Sequence, residues 1–226
     1  MQLQTITATE LLQEIHKKHV KQRTIALVVM IVGILLTAFF FLVSVGFGIF
    51  FAVVTVLIPL ALFLYLNSKA KNTEGLPIFK RYGTPDELAA LLRDGGNKVI
   101  YQANNFLMTE TFILNPNDLE SLIPLSDLQL VYLFKNSTNG IPTDQGMTVH
   151  DIYNHQTRFQ FRLGKKGREE ITEIMRRMSV AAPWIVFGYS PQNVSAANKN
   201  KIQPGDPKPV RQRPEEYFSN GQNYGQ

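Results

Sequence analysis

Hydrophobic residues are concentrated in one long run, Ile25–Leu66, that contains no charged side chain. A helix needs about 20 apolar residues to cross the hydrocarbon core of a bilayer, so the run is long enough for two spans. Gly46 and Gly48 lie near its middle, and glycine readily supplies the positive φ angles of a tight turn. The pattern therefore predicts a transmembrane hairpin with spans of about 25–43 and 49–66 and with its turn at these two glycines.

Two other interpretations of this run are disfavoured by its length and composition. The apolar core of a cleaved signal peptide is only about 7–15 residues long. Buried helices of a soluble protein show a polar face, whereas these two segments show none. Pro59 lies inside the second span, where it cannot donate a backbone hydrogen bond and is expected to kink the helix.

Polar segments flank the hairpin on both sides. Residues 1–24 are predicted to form a juxtamembrane amphipathic helix, because Thr7 and Glu10 have the spacing of a capping box and an apolar face follows. This apolar face is short, which favours a helical extension of the first span near the membrane surface over a dedicated lipid sensor. Residues 67–83 are predicted to be a polar connector.

An α+β domain is predicted over residues 84–190. Thr84, Pro85 and Glu87 carry the signals of a helix start, and two glycines end that helix. The hydrophobic period then changes towards two, which is typical of strands. The candidate strands are residues 98–103, 106–114, 122–134, 147–153 and 156–163.

Other segments of the domain are predicted to be a loop, a turn, a closing helix and a tail. Residues 133–146, with two glycines and a proline, are predicted to be a loop, and Asn154–His155 the turn of a hairpin. Residues 168–180 form an amphipathic helix, and residues 184–187 are a short apolar segment expected to pack back on the domain. Residues 191–226 have few aliphatic side chains and are predicted to be a disordered tail.

Positive charge is concentrated beside the hairpin. Residues 1–73 have a net charge of +4, and residues 74–226 have a net charge of +1. By the positive-inside rule, both ends of the hairpin are expected to face the cytoplasm, which agrees with an even number of spans. The cations are expected to contact anionic lipid headgroups at the inner face of the membrane. They are Lys17, Lys18, Lys21, Arg23, Lys69 and Lys71.

Two apolar segments carry a resemblance to a known family. They are YQANNFLMTETFIL at residues 101–114 and LIPLSDLQLVYLF at residues 122–134. Together with the preceding hairpin, they resemble the bacterial membrane proteins with pleckstrin-homology-like (PH-like) cytoplasmic domains, a family of unknown function. The resemblance implies a small antiparallel β domain closed by a C-terminal helix. The chain departs from the family in the helix at 85–94 and in having five strand candidates, fewer than seven.

The resemblance implies an interaction module more than an enzyme, and it does not carry over phosphoinositide binding. Lipid-binding members of the wider fold have basic side chains in the first loop between strands. The corresponding segment here, Ala103–Asn105, contains no cation.

No segment has the residue pattern of a catalytic or cofactor site, so we expect neither an enzyme nor a cofactor. His150 and His155 flank the predicted turn, but their spacing is not that of a helical metal-binding pair, and exposed turn residues are favoured. Residues 164–168 could bind an anion at a helix N-terminus, but they lack the full phosphate-loop pattern, and a charged turn is favoured. The chain has no cysteine, which excludes disulfides and cysteine-based zinc sites.

The expected function is that of a membrane-anchored cytoplasmic interaction or scaffold module that binds an unknown protein partner and no nucleic acid. One alternative is a subunit of a transporter or secretion complex that acts through its hairpin. Another is an unrecognised enzyme acting on lipid or cell-envelope substrates. The lack of ionisable residues in the spans favours a passive anchor. Gly33 and Ser44 could allow close helix contact, without fixing an oligomeric state.

Overall fold

The computed structural model describes residues 5–209 with the exception of Asn97 and Asn104, so the last part of the predicted tail lies outside the described residues. The protein has an α+β fold, with two apolar helices followed by antiparallel strands and a closing helix. The chain divides into two compact units. Residues 7–79 form a helical hairpin unit, and residues 5, 6 and 80–209 form the α+β domain.

The hairpin unit contains two long helices. Helix α1, Ala8–Val43, begins at the Thr7–Glu10 capping box and continues without a break through the predicted first span. The second helix follows as three consecutive parts: α2 (Val45–Ala52), a π-helical turn (Val53–Leu57) and α3 (Ile58–Lys71). Both helices are long and apolar enough to cross a membrane. The juxtamembrane helix and the first span are therefore one helix.

The chain reverses at Ser44 and not at the two glycines. Ser44 has extended backbone angles, with φ −164° and ψ 133°, and its N–H donates to the carbonyl of Phe40 at 2.9 Å. Gly46 and Gly48 lie inside α2, and neither has a positive φ. The predicted glycine turn is therefore wrong, because one extended residue ends α1 and begins α2. Gly48 serves helix packing instead, since a Cβ there would lie 2.5 Å from the ring of Phe41.

The two helices of the hairpin approach closely at Gly33. A Cβ at Gly33 would lie 2.2 Å from the carbonyl oxygen of Thr55, so only glycine fits. Thr55 Oγ1 lies 3.3 Å from the Gly33 carbonyl oxygen and 3.3 Å from Thr37 Oγ1. Pro59 lacks the N–H that would bond to the Thr55 carbonyl in a regular helix. The irregularity expected at this proline is present as the π-helical turn just before it, at the contact between the helices.

The domain begins in the second half of a short helix and continues with a second helix and a four-stranded antiparallel sheet. The helices are α4 (Pro77–Tyr82) and α5 (Pro85–Gly96). The predicted start of α5 is confirmed, because the Thr84 hydroxyl accepts the Glu87 N–H while the Glu87 carboxylate accepts the Thr84 N–H. The strands, in spatial order, are β1 (Val99–Ala103), β2 (Phe106–Thr109), β3 (Phe112–Asn115) and β4 (Asp118–Pro124).

A 3₁₀ turn, Leu125–Asp127, leads into a second four-stranded sheet with the spatial order β7-β6-β5-β8. Its strands are β5 (Leu128–Thr138), β6 (Ile141–Asp151), β7 (Gln156–Phe161) and β8 (Val186–Phe187). Strand β8 pairs parallel with β5, and the other pairs are antiparallel. The predicted β6–β7 hairpin is confirmed, with Asn154 at φ 61° in its turn. The apolar segment at 184–187 does pack back on the sheet, as β8.

The β5–β6 hairpin is longer than predicted. Residues 133–146, predicted to be a loop, are paired as far as Thr138↔Ile141. Asn139 and Gly140 have φ angles of 51° and 79°, as a tight two-residue hairpin turn requires. The glycine that indicated a loop is therefore the tip of a hairpin. The candidate strand at 106–114 is likewise two strands, and the described residues contain eight strands in place of the five predicted.

The core of the domain lies between the two sheets and helix α6, Lys165–Ala181. The rings of Phe106 and Phe159 meet edge to face, with centroids 5.0 Å apart, and join the two sheets. Helix α6 contacts β6 and β7, and Arg177 Nη1 donates to the carbonyl of Ile100 at 2.5 Å. The predicted closing helix is confirmed, with slightly wider bounds.

The segment after β8 folds back on the second sheet. Helix α7, Pro191–Lys199, contacts β5, and the N–H of Ile202 donates to a main-chain carbonyl after β6 at 2.8 Å. Lys208 Nζ lies 2.7 Å from the carboxylate of Asp127. The structure thus corrects the prediction of a disordered tail over residues 191–209. Hydrogen bonds and an ion pair hold this segment, although it has few aliphatic side chains.

Replacing Gly33 with valine is expected to separate the hairpin helices, because the new side chain would overlap the Thr55 carbonyl. The chain has no cysteine, so disulfide formation between Thr37→Cys and Thr55→Cys reports this contact in the full-length protein. We expect efficient oxidation in the double variant and a severalfold lower yield after Gly33→Val. Gly46→Val is the matched control, because a Cβ at Gly46 has no neighbour closer than 3.9 Å. An equal loss in both variants would contradict the contact.

Candidate functional site

The second sheet has two chemically different faces, because side chains alternate along each strand. Val131, Met147 and Phe159 are fully buried on the face towards the core. The opposite face, here called the outer face, is formed by the residues that alternate with them. These are Leu130, Tyr132 and Phe134 of β5, Gly146, Thr148 and His150 of β6, and Gln156, Arg158 and Gln160 of β7.

Four side chains at the outer face form what we call the aromatic–arginine cluster: Tyr132, Phe134, Arg158 and Tyr189. The rings of Tyr132 and Tyr189 meet edge to face, with centroids 5.2 Å apart. The guanidinium of Arg158 lies 5.3 Å from the centre of the Phe134 ring, within the range of a cation–π contact. Arg158 is exposed, and Tyr189 is 66% exposed. The cluster therefore presents one exposed ring, two half-buried rings and a cation to its surroundings.

Two polar side chains of β6 are buried next to this cluster. His150 is fully buried, with Nε2 3.3 Å from the hydroxyl of Tyr132, and Thr148 is buried in register between Tyr132 and Arg158. Within the described residues, His150 Nδ1 and Thr148 Oγ1 have no hydrogen-bond partner. Burial lowers the pKa of His150, because desolvation disfavours the charged imidazole. The interpretation of His150 as an exposed turn residue is therefore wrong, since it lies within a strand.

The distal part of the β5–β6 hairpin extends the outer face. Residues 135–143 are all exposed, and we call residues 135–144 the β5–β6 arm. Two large apolar side chains lie exposed in or beside it, Ile141 at 68% and Leu133 at 48%. The Asn136 amide donates to both carboxylate oxygens of Asp144 at 3.1 Å across the arm. The arm is thus a paired strand structure with exposed apolar groups.

Asp151, the last residue of β6, is a fully buried carboxylate. It accepts the N–H groups of Tyr153 at 2.9 Å and His155 at 2.7 Å, and it also accepts the hydroxyl of Tyr82. Arg81 Nε lies 3.9 Å from the same carboxylate. Burial and the negative charge of Asp151 raise the pKa of Tyr82 well above its usual value. The Asp151 carboxylate therefore links the end of α4 to the end of β6.

A second buried carboxylate, Asp127, holds the C-terminal segment. Its Oδ2 lies 2.7 Å from Lys208 Nζ, and its Oδ1 accepts the hydroxyl of Ser126 at 2.9 Å. The pKa of nearby Tyr153 is raised, chiefly by burial, although the charge of Lys208 acts in the opposite direction. Each oxygen of this carboxylate has a donor, as buried ionised groups require.

These carboxylates serve structure, because donors already occupy them. The described residues contain no group of three or more His, Asp or Glu side chains that could hold a metal ion. In the charged segment at 164–168, Lys165 pairs with Glu169 at 3.8 Å on the surface of α6. The second sheet therefore combines an exposed aromatic and cationic surface with buried polar clusters.

The six cations predicted to contact the membrane surface lie on α1 and near the end of α3. Lys18 and Lys21 are on α1, and Lys17 pairs there with Glu14 at 2.6 Å. Arg23 Nη1 donates to Asn67 Oδ1 at 3.0 Å. Lys69 Nζ lies 5.0 Å from the centre of the Tyr65 ring. The structure brings only two of the six, Lys17 and Lys71, to a common cleft in the described residues.

Comparison of the chain with models of protein families, with curated proteins and with solved structures gave no match.

The sequence contained part of the signal for the outer face. Arg158 and Gln160 alternate with Phe159 and Phe161, which placed one strand of the face correctly. Because residues 133–146 were predicted to be a loop, the prediction did not include the strand pairing that brings Phe134 beside Arg158. Tyr189 joins the cluster through β8, a two-residue strand too short to be recognised from a periodic pattern.

Asp151→Asn is expected to lower the free energy of unfolding of the domain by about 3 kcal/mol, because it removes the charge that the surrounding donors stabilise. Tyr82→Phe deletes one hydroxyl and should cost about 1–2 kcal/mol. The fluorescence of Trp184, the sole tryptophan, reports unfolding of the domain in the full-length protein. Glu169→Gln is the control, with an expected change below about 0.5 kcal/mol. A similarly small change in Asp151→Asn would contradict its structural role.

Stability of the domain is expected to fall when the pH is lowered from about 7 to about 5. Burial lowers the pKa of His150 and His155, Arg81 lowers that of His155 further, and Asp151 opposes both shifts. Below the usual histidine pKa of about 6.5, the unfolded chain therefore binds more protons than the folded chain, and stability is lost as the pH falls.

Denaturant titrations followed by Trp184 fluorescence at several pH values measure this dependence. The variant His150→Gln/His155→Gln should show a smaller slope of stability against pH than the natural sequence, whatever its absolute stability. An identical slope would show that neither histidine is responsible.

Proposed function

We propose that this protein is a membrane-anchored interaction module whose outer face docks a protein partner on the cytoplasmic side of a membrane. In this proposal the helical hairpin is the anchor, with both of its flanks cytoplasmic. The α+β domain presents the binding surface. The observation that carries the proposal is the aromatic–arginine cluster at the outer face.

The surface of the hairpin supports the role of an anchor. In the most apolar stretch of each helix, fewer than a fifth of the residues are buried within the described chain. Large aliphatic side chains are exposed, among them Leu35 at 69% and Leu42 at 86%. Such a surface is costly in water and favourable in lipid. The cations at the base of the hairpin, and their absence at the Ser44 reversal, support cytoplasmic flanks.

The composition of the outer face supports recognition of a protein. Tyrosine and arginine dominate the energetically important positions of protein interfaces, because they combine a large contact area with hydrogen bonding. Tyr132 and Tyr189 are in edge-to-face contact. The ring of Tyr189 therefore loses little conformational freedom when a partner binds. Ile141 of the β5–β6 arm adds exposed apolar area. The partner that fits this surface offers apolar groups and a carboxylate for Arg158.

The resemblance to PH-like membrane proteins is consistent with this role. Antiparallel strands followed by a closing helix are what the resemblance implies, and the described residues have this order. The resemblance implies interaction more than catalysis. Helix α5 before the strands and the parallel strand β8 are departures from it.

Photocrosslinking in the native membrane tests the docking surface of the full-length protein. A photoreactive amino acid at Gln160 or Asn136, both exposed at the outer face, is expected to give a discrete adduct with one protein. Tyr132→Ala/Arg158→Ala should reduce its yield at least about tenfold, as expected for residues that dominate an interface. The same photoreactive group at Val180, 73% exposed on α6, is the control and should give none of this adduct.

An adduct that survives the double variant, or that forms equally from Val180, would overturn the proposed surface. Adducts formed only from positions in the hairpin would instead favour the alternative of a complex subunit that acts through its membrane segment.

A further inference from the structure

A cleft of about 540 Å³ opens in the hairpin unit, between α1 and the segment at the end of α3. One wall is formed by α1, with Gln13, His16 and Lys17 among its residues. The other wall contains Lys71, Asn72 and Thr73. None of these residues belongs to the outer face or to the buried clusters, so the cleft is a separate feature.

The walls of the cleft are held by one hydrogen bond between the two helices and by another within the turn that follows α3. His16 Nδ1 lies 3.0 Å from the carbonyl oxygen of Ala70. After α3 ends, Asn72 Oδ1 accepts the N–H of Gly75 at 3.1 Å and orders the turn. A cavity formed in this way before binding loses little conformational entropy when a ligand enters.

The lining suits an anionic ligand that also has hydrogen-bonding groups. Two lysines, Lys17 and Lys71, line the cleft together with one acidic residue, Glu74. Lys17 also pairs with Glu14 at 2.6 Å, but an exposed pair of this kind contributes little and yields readily to a stronger anion. The amides and hydroxyls of the walls supply further donors. A phosphate group with neighbouring hydroxyl groups matches this set of side chains.

The position of the cleft along the helices places the end nearest the membrane beside lipid headgroups when the charge-free run occupies the hydrocarbon core. At a rise of about 1.5 Å per residue, Lys71 lies about 7 Å beyond Leu66, and Lys17 lies about 12 Å before Ile25. The headgroup region extends about 5–8 Å from the hydrocarbon. Lys71 therefore lies at the level of the phosphates, and the long, flexible side chain of Lys17 reaches this level when it leaves Glu14 and extends towards the membrane.

We propose that this cleft binds the phosphate-bearing headgroup of an anionic membrane phospholipid. Lys17 and Lys71 contact the phosphate from the two walls, and Asn72 bonds to a headgroup hydroxyl. The inference rests on the proposed anchoring of the hairpin. It goes further by assigning a defined lipid site in place of a diffuse attraction between cations and the membrane.

Lipid retention by the full-length protein tests this assignment. The protein is reconstituted in nanodiscs of phosphatidylcholine and phosphatidylglycerol, and the lipids that stay bound after release are identified by native mass spectrometry. We expect preferential retention of phosphatidylglycerol, and about 25-fold less in Lys17→Gln/Lys71→Gln, because each cation near a lipid surface contributes roughly fivefold. Lys18→Gln/Lys21→Gln, which removes the same charge from α1 outside the cleft, should behave like the natural sequence.

Three results would overturn the proposal. Equal losses in the two double variants would indicate a diffuse electrostatic effect, and no preference for phosphatidylglycerol would indicate no site. Displacement of the lipid by an equal concentration of inorganic phosphate would identify a site for free phosphate. Alkaline carbonate extraction shows whether the hairpin anchors the protein in the membrane, independently of whether the cleft selects a lipid. Protein that stays in the membrane without selecting lipid contradicts only the cleft, whereas extracted protein contradicts the anchor itself.

Discussion

The register of the β5–β6 pair is the constraint that decides which side chains the second sheet places on its outer face. Val131 pairs with Val149 towards the core, and Tyr132 pairs with Thr148 on the outer face. Because side chains alternate with a period of two, a shift of one residue would exchange the two faces. At one end of the pair, the register is set by the Asn139–Gly140 turn together with a one-residue shift in the pairing between Asn136 and Ser137. The same pairing therefore builds the core and displays the aromatic–arginine cluster.

Stabilisation and recognition are assigned to different groups in this domain. Buried carboxylates are costly to desolvate, and Asp127 and Asp151 are tolerated because main-chain, hydroxyl and ammonium donors surround them. They hold the C-terminal segment and the end of α4 against the second sheet. Arg158 and Tyr189, in contrast, are exposed and remain available to a partner. The hairpin shows a comparable division, with its polar Gly33–Thr55 contact inside and aliphatic side chains outside.

Features that depend on neighbouring residues could be predicted from the sequence, whereas features that depend on contacts between distant residues could not. The charge-free run, the capping boxes and the closing helix follow from composition and period, and they were predictable. The glycines at 46 and 48 were misassigned because glycine serves both turns and close packing. The strands over 133–146 were missed because a hairpin tip and a loop have the same composition. Burial of His150 and the ion pair between Asp127 and Lys208 depend on tertiary contacts across many residues.

Hydrogen exchange in the β5–β6 arm tests the central claim most directly. The measurement compares the full-length protein in its native membrane with the purified protein in nanodiscs, and follows the backbone amides of residues 135–144. We predict slower exchange in the native membrane, because a docked partner excludes water from the arm, and unchanged exchange at the exposed end of α6. Equal exchange rates in the arm under both conditions would contradict a partner on the outer face.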